Sequence, residues 1–204
     1  MAISKQELKS LMLKNTPLDF CRMYLFNQET YLFENANEFN IKGSYHELKC
    51  EIANLLNTSP NSVAIVGSGK FGFSMNPTKS ELLKEFNSKS DLDIVIACPQ
   101  SFEKIWLNLR DAYYSNQSDV QKHHANDIFS KFIVVNDKME YNSDHMRSTL
   151  TLLGEMKKEI KKKFRIKQTI NYRIYANWSD VEAYHEFGIG HLQRALETGR
   201  GKDI

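Results

Sequence analysis

Long apolar runs are missing from this sequence, and no stretch approaches the roughly 18 residues needed to cross a bilayer. The opening residues, MAISKQELKS, also lack the apolar core of a signal peptide. Cysteines stand only at positions 21, 50 and 98, a spacing that argues against a disulfide framework or a zinc site and favours reduced thiols. The formal net charge of +2 does not by itself indicate nucleic-acid binding. We therefore expect a cytoplasmic protein without a membrane partner.

The composition is that of an ordinary globular protein, with 41% hydrophobic and 25% charged residues. Ser/Thr-x-x-Glu signatures predict helix N-termini, because the hydroxyl and the carboxylate can each accept a free backbone N–H. Such signatures begin at Ser4, Ser44, Thr78 and Ser179. Apolar or alternating segments predict strands at residues 63–66, 94–97, 132–135 and 169–175, and amphipathic patterns predict further helices at 101–114 and 143–164.

Predicted helices and strands alternate along the chain. This order predicts an α+β fold in which helices cover a small mixed sheet. No repeat, low-complexity tract or linker divides the sequence, so we expect one domain with its core at about residues 44–178. Residues 1–40 and 179–204 are then its helical flanks.

The segment VAIVGSGKFG, which contains the first predicted strand, allows three interpretations. As a dinucleotide-binding turn it matches G-x-G-x-x-G, but a poor helix start follows and the second strand ends without an acid for the ribose. As a P-loop it departs at two points, since Phe71 follows Lys70 and Ala64 replaces the first glycine. The third interpretation combines the segment with a later pair of acids.

Asp91 and Asp93 stand at the head of the second predicted strand. Because residues two apart in an extended chain point to the same side, their carboxylates should lie together with Leu92 turned inward. Such a pair is typical of a cation site. Mg²⁺ takes a few carboxylates together with water and substrate phosphates, and two such ions can clamp an in-line displacement. Gly67 and Ser68 would offer backbone N–H groups and a hydroxyl to a triphosphate.

An apolar strand ending in Gly-Ser, a short helix and then Asp-x-Asp on the next strand resemble the polymerase-beta-like nucleotidyltransferase superfamily. The resemblance covers about a third of the chain and places the short helix at residues 78–86. It implies a palm-like nucleotidyltransferase core that acts on a nucleoside triphosphate. Asp91 and Asp93 would be catalytic and hold Mg²⁺ or Mn²⁺. Gly67 and Ser68 would bind the nucleotide.

Members of this superfamily also carry a third carboxylate on a following strand. Asp137, just past the third predicted strand, is the candidate for this catalytic role, and a simple turn residue is the other interpretation. The fourth predicted strand offers only Asn171 and Arg173. Arg173 would hold triphosphate oxygens if it points inward and would be a surface ion-pair partner if it points outward. Lys70 would bind a nucleotide phosphate as a mobile cation or remain an exposed loop residue.

Two functions follow from these observations. The first is metal-dependent, template-independent transfer of a nucleotidyl group to a hydroxyl on an oligonucleotide 3′ end or a protein. Small stand-alone enzymes of this kind occur in bacterial toxin–antitoxin and phage-defence systems, so the resemblance suggests antiviral defence. The lysine-rich end of the 143–164 helix is either a solvated terminus or a surface for a polynucleotide acceptor. The second function is a catalytically degenerate module that binds nucleotide or RNA and regulates a partner.

Overall fold

The computed structural model describes residues 3–116, 118–134 and 144–199. Within these residues the chain forms a four-stranded mixed sheet. Its strands are β1 (Val63–Val66), β2 (Leu92–Ala97), β3 (Phe132–Val134) and β4 (Ile170–Tyr175), in the spatial order β1-β2-β4-β3. β2 and β4 run parallel, whereas β1 and β3 are antiparallel to their neighbours. The predicted α+β class with a small mixed sheet is confirmed.

Ten α-helices pack around this sheet in the described part of the chain. They are α1 (Lys5–Lys14), α2 (Pro17–Phe20), α3 (Tyr31–Glu34), α4 (Ala36–Phe39), α5 (Tyr45–Leu56), α6 (Ser68–Phe71), α7 (Pro99–Tyr114), α8 (Ser118–Phe129), α9 (Asp144–Phe164) and α10 (Trp178–Thr198). A π-helical turn, Cys21–Leu25, continues α2, and a 3₁₀ turn, Pro60–Ser62, leads into β1. None of the helices in these ranges has the length and apolar character that crossing a membrane requires.

The serine signatures act as local helix starts at two places. Ser4 and Ser44 each accept a backbone N–H from the glutamate three residues on, and that glutamate accepts the serine N–H in return. α10 begins slightly before its predicted start, because the side chain of Asn177 caps it instead of that of Ser179. It ends at Gly199 in the left-handed conformation, as the sequence predicts.

The helix predicted at residues 78–86 is wrong. Thr78 does not form a capping box, because its N–H and its hydroxyl both donate to Asn76 Oδ1, at 2.9 and 2.8 Å. Leu83 and Phe86 are both buried, but they belong to different hydrophobic clusters. A helix would place residues three apart on one face, so it could not fill both clusters. Long-range packing therefore overrides the local signature.

The sheet has a helical layer on each face. One cluster of buried residues joins the first face to α5, α7 and α9, and a second cluster joins the second face to α1, α2 and α10. In β2 the alternation sends Leu92, Ile94 and Ile96 to the first face. It sends Val95 and Ala97 to the second face. The N-terminal and C-terminal helices therefore share the second face.

Candidate functional site

A cleft of about 790 Å³ opens where β1 ends and β2 begins. On the sheet side it is lined by Gly67, Ser68, Asp91, Asp93 and Arg173. One wall is the segment 74–90, which connects α6 to β2, and the other is the side of α10 between Tyr184 and His191. The cleft therefore brings together five of the seven residues that the sequence predicts for the site.

The turn after β1 requires glycine at two positions. Gly67 has φ 65° and ψ −139°, a conformation that residues with a side chain rarely adopt. A Cβ there would lie 3.4 Å from Asp93 Oδ2, so the backbone of Gly67 stands beside this carboxylate. At Gly69 a Cβ would come within 2.7 Å of Leu92 Cδ1, so glycine lets α6 pack closely on β2. Ser68, between these two contacts, is held near the start of β2.

The two acids lie on the same side of β2. Leu92, between them, is fully buried in the first-face cluster, while both acids line the cleft. Asp91 is exposed and Asp93 is half-buried. Asp93 pairs with Val66, the last residue of β1, and this register brings its carboxylate to the Gly67 turn. Because like charges on one side of a strand repel each other, the arrangement suits a bound cation in addition to the charge of Arg173.

Arg173 brings a positive charge to the same face. It lies on β4 opposite Val95, and its guanidinium stands over the rings of Phe132 and Tyr184, 5.9 and 5.3 Å from their centroids. Nη1 of Arg173 also donates a 3.4 Å hydrogen bond to Tyr184 Oη. Burial is the largest single influence on the pKa of Arg173 and lowers it, but Tyr184, Asp93 and Tyr175 together raise this pKa by more, so the guanidinium stays charged. Of the two positions that the sequence allows, Arg173 therefore takes the inward one.

An amide occupies the position on β4 that faces the acids. Asn171 is in register with Asp93, and its Nδ2 donates a 3.3 Å hydrogen bond to Asp93 Oδ1. The partner of Asp93 on its other side is Val66, so neither neighbouring strand presents a carboxylate opposite it. Asp137, predicted as the third acid, lies outside the described residues.

The donors present suit a hard divalent cation. Asp91 and Asp93 offer carboxylate oxygens and Ser68 a hydroxyl, which are the ligands that Mg²⁺ and Mn²⁺ prefer. Mg²⁺ is commonly held by one or two carboxylates, with water and phosphates completing its shell. A cage built only from protein side chains does not fit, because the described residues contain no group of three His, Cys, Asp or Glu that could hold a metal.

Lys70 lies outside this cleft, so the structure does not bring it together with the other residues predicted for the site. It is 4% exposed, and its Nζ donates to the Asn27 carbonyl at 3.2 Å and also to Asn27 Oδ1 and the Glu29 carbonyl. It lines a separate cavity of about 470 Å³. Burial lowers the pKa of Lys70 to about 8. These hydrogen bonds show that Lys70 ties α6 to the segment that contains Asn27 and Glu29.

The cleft also contains residues that none of the sequence motifs includes. They are Lys79, Lys84 and Lys89 on one wall and His185, Phe187 and His191 on the other. Burial lowers the pKa of His185 to about 4, and its Nδ1 lies 2.8 Å from the Val181 carbonyl, so the imidazole is neutral near pH 7. Among these, only the spacing of Phe187 and His191, one helical turn apart, could have been noticed in the sequence.

The strand directions exclude a dinucleotide-binding turn at the segment that follows β1. A dinucleotide-binding turn joins two parallel strands through a helix, whereas β1 and β2 are antiparallel and α6 is a single turn. No protein-family model matches the chain, and the comparisons with curated proteins and with solved structures found no match either. The inference of function therefore depends on the residues of the cleft.

Proposed function

We propose that this cleft is the active site of a metal-dependent nucleotidyltransferase that works without a template. One observation carries the proposal. Asp91 and Asp93 line the cleft beside the turn formed by Gly67 and Ser68, and the backbone of Gly67 stands next to the Asp93 carboxylate. These are the residues through which the sequence resembles the polymerase-beta-like superfamily, and a palm-like core is part of the proposal.

Each residue of the cleft has a role in this chemistry. Asp91 and Asp93 would hold Mg²⁺ or Mn²⁺, which would neutralise triphosphate charge and activate the attacking oxygen. Ser68 and the backbone N–H of Gly67 would contact the phosphates, since no side chain at Gly67 obstructs their approach. Arg173, fixed over two rings, would offer its donors to the same phosphates.

The reaction is a displacement at the α-phosphorus of a nucleoside triphosphate. The acceptor hydroxyl oxygen forms a bond to this phosphorus, and the bond from the phosphorus to the bridging oxygen breaks. Pyrophosphate leaves with that electron pair, and the hydroxyl proton passes to a carboxylate or to water. Catalysis then depends on positioning and on charge neutralisation, which the acids and Arg173 provide.

The test is incubation of the purified chain with each labelled ribo- and deoxyribonucleoside triphosphate in Mg²⁺ or Mn²⁺. Pyrophosphate release and intact mass would be measured for wild type and for Asp91→Asn/Asp93→Asn. Glu155→Gln/Glu159→Gln is the matched control, because it removes two exposed carboxylates of α9 outside the cleft. We expect turnover that the cleft variant loses and the control keeps. Equal turnover in both variants would refute the assignment of Asp91 and Asp93.

The position of Asn171 favours a second candidate, a module that binds nucleotide without turning it over. The strand beside Asp93 presents an amide where the resembled family has a third acid. Under this hypothesis the wild type binds Mg²⁺–triphosphate without releasing pyrophosphate, and Asn171→Asp introduces the missing carboxylate. Turnover gained only in Asn171→Asp would support the module, whereas turnover in the wild type would exclude it.

A further inference from the structure

The wall formed by residues 74–90 is basic. Lys79, Lys84 and Lys89 all line the cleft and are all exposed. The segment also contains two acids, Glu85, which lines the cleft, and Glu81, which pairs with Lys5 outside the lining. Exposed lysines on one side of a cleft attract anions over several ångströms and contact phosphates without fixed geometry. Lys79, Lys84 and Lys89 are spread from residue 79 to residue 89 of this wall, so they present positive charge along its length and not at a single point. The wall therefore fits an extended anion.

The opposite wall, on α10, is aromatic. The ring of Phe187 is 69% exposed, although it lies within the cleft. Its centroid is 4.3 Å from that of His191, one turn further along the helix. An exposed phenylalanine contributes little to the core and presents apolar area to solvent. This pair of rings offers a stacking surface opposite the lysines.

Gly188 keeps this wall open. It lies inside α10, where glycine is less favourable than alanine by roughly 1 kcal/mol. A Cβ at Gly188 would meet nothing within 4 Å, so packing inside the protein does not demand glycine there. A bare backbone next to Phe187 leaves room for a flat group to approach the helix.

The start of β4 lies next to the cleft. The Thr169 carbonyl accepts a 2.8 Å hydrogen bond from Leu92 N, so this strand enters the sheet directly beside Asp91. Between Ile166 and Ile170 buried and exposed residues alternate, which turns Lys167 away from the first-face cluster. Lys167 is therefore an exposed cation just before β4, although it does not itself line the cleft.

We propose that the acceptor is the end of a single-stranded nucleic acid, with its phosphates on the lysine wall and a base stacked on Phe187. Proteins that bind single strands combine a positive groove with aromatic residues on which bases stack. A protein hydroxyl would use neither the ring of Phe187 nor three lysines in this way. This inference rests on the proposed function, because it names the acceptor of that reaction.

The test is binding of labelled DNA and RNA single strands of about 12 nucleotides, without triphosphate or metal, by fluorescence anisotropy. Phe187→Ala should weaken binding by about tenfold to a hundredfold, because base–aromatic stacking is lost. Phe187→Leu should also weaken it, since leucine keeps apolar area but has no ring face. Phe129→Ala is the matched control, because Phe129 is 90% exposed on α8 and lies outside the cleft. Equal binding by all four proteins would overturn the proposal.

The lysine wall has a separate readout in salt dependence. For a single strand, log K falls with log salt by about 0.7 for each phosphate contact. Replacing Lys79, Lys84 and Lys89 with alanine should therefore reduce this slope by about 2. The matched control replaces the exposed Lys14, Lys42 and Lys104, which removes the same charge outside the cleft. An equal loss of salt dependence in both variants would show that the lysine wall has no specific role in binding the strand.

The outcomes separate this inference from the proposed enzyme. If single-strand binding depends on Phe187 but no pyrophosphate is released, the cleft binds nucleic acid and the proposed transferase activity is refuted. Pyrophosphate release with a nucleotide attached to a protein, seen as a mass increase, would support the transferase and overturn the nucleic-acid acceptor. Binding to a duplex as tightly as to either single strand would also overturn it, because bases inside a duplex stack on each other and cannot stack on Phe187. Comparison of the DNA and RNA single strands shows which sugar the cleft prefers.

Discussion

The two faces of the central strands β2 and β4 have different compositions. On the first face both strands present only apolar or aromatic residues, namely Leu92, Ile94, Ile96, Ile170, Tyr172 and Ile174. On the second face the same strands begin with Asp93, Asn171 and Arg173 before they become apolar or aromatic at Val95, Ala97 and Tyr175. The charged residues are therefore confined to one end of one face.

This difference separates the residues that stabilise the fold from those of the proposed site. Apolar burial stabilises the first face by about 25 cal/mol for each Å² removed from water. Half-buried charges such as Asp93 and Arg173 lose hydration and regain it only in part through their contacts. Their end of the second face is thus poorly suited to stabilising the fold and well suited to binding a charged ligand. Substitutions on the first face should lower stability and leave activity unchanged. Substitutions of the charged residues on the second face should lower activity and leave stability unchanged.

The largest expected effect is a separation of activity from stability between two neighbouring residues of β2. Asp93→Asn should reduce nucleotidyl transfer by at least about 10³-fold, or roughly 4 kcal/mol in the barrier, and should leave the midpoint of urea unfolding nearly unchanged. Ile94→Ala should reduce the free energy of unfolding by about 2–5 kcal/mol, because it opens a cavity in the first-face cluster. Its turnover per folded molecule should match wild type. A strong loss of stability in Asp93→Asn would show that the charged end of the second face also stabilises the fold.

A second prediction concerns acid, since each side of the sheet holds a histidine that resists protonation. Burial lowers the pKa of His124, one turn from Val120 of the first-face cluster, to about 4, as it does for His185 in the cleft. An unfolded imidazole takes up its proton near pH 6.5. Between these values the unfolded chain binds more protons, so stability is present above pH 6.5 and is lost as pH falls to 4.

Each histidine should contribute at most about 3 kcal/mol to this loss, at 1.36 kcal/mol per pH unit. Urea unfolding of wild type, His124→Gln and His185→Gln between pH 7 and pH 4 would measure it. Each variant should flatten the profile by a similar amount, because burial is the main cause at both sites. An unchanged slope in either variant would show that this histidine does not resist protonation in the folded protein.

The sequence predicts the first face of the sheet and the sheet side of the cleft well. Both depend on patterns among residues that are close together in the chain. A continuous apolar run predicts β2 and alternation predicts β4, and the two-residue spacing of Asp91 and Asp93 puts both acids on one side. The Gly67 turn is equally local, since its backbone conformation requires glycine. These features involve residues close in the chain, whose relative positions the backbone geometry sets.

Features that depend on distant segments were not predictable in the same way. Lys70 looks like a phosphate contact until the fold brings Asn27 and Glu29 to its Nζ. Leu83 and Phe86 look like one helical face until the sheet separates the two clusters that they fill. The wall on α10 joins the cleft only through packing on the second face, so no motif marks Phe187.

A third prediction compares two arginines that lie over aromatic rings. Arg173→Lys should weaken triphosphate binding by about tenfold to a hundredfold, because lysine keeps the charge but loses the planar, bidentate donors. Arg110→Lys on α7 is the matched control, since Arg110 stands 5.4 Å from the Trp106 ring centroid, outside the cleft. Titration calorimetry with Mg²⁺–triphosphate would measure both. Equal affinity in the two variants would remove Arg173 from the nucleotide site.

The smallest expected effect compares two helix glycines with open space around them. Gly188→Ala and Gly154→Ala should each raise the free energy of unfolding by about 0.5–1 kcal/mol, because alanine is the better helix former and its Cβ meets nothing within 4 Å. Only Gly188 lines the cleft, so only its substitution should weaken single-strand binding, by a few-fold. Thermal unfolding and anisotropy on the same samples would show both effects. If Gly188→Ala gained stability and bound as tightly as Gly154→Ala, the bare backbone of α10 would have no part in holding a base, and the stacking surface would reduce to the ring of Phe187.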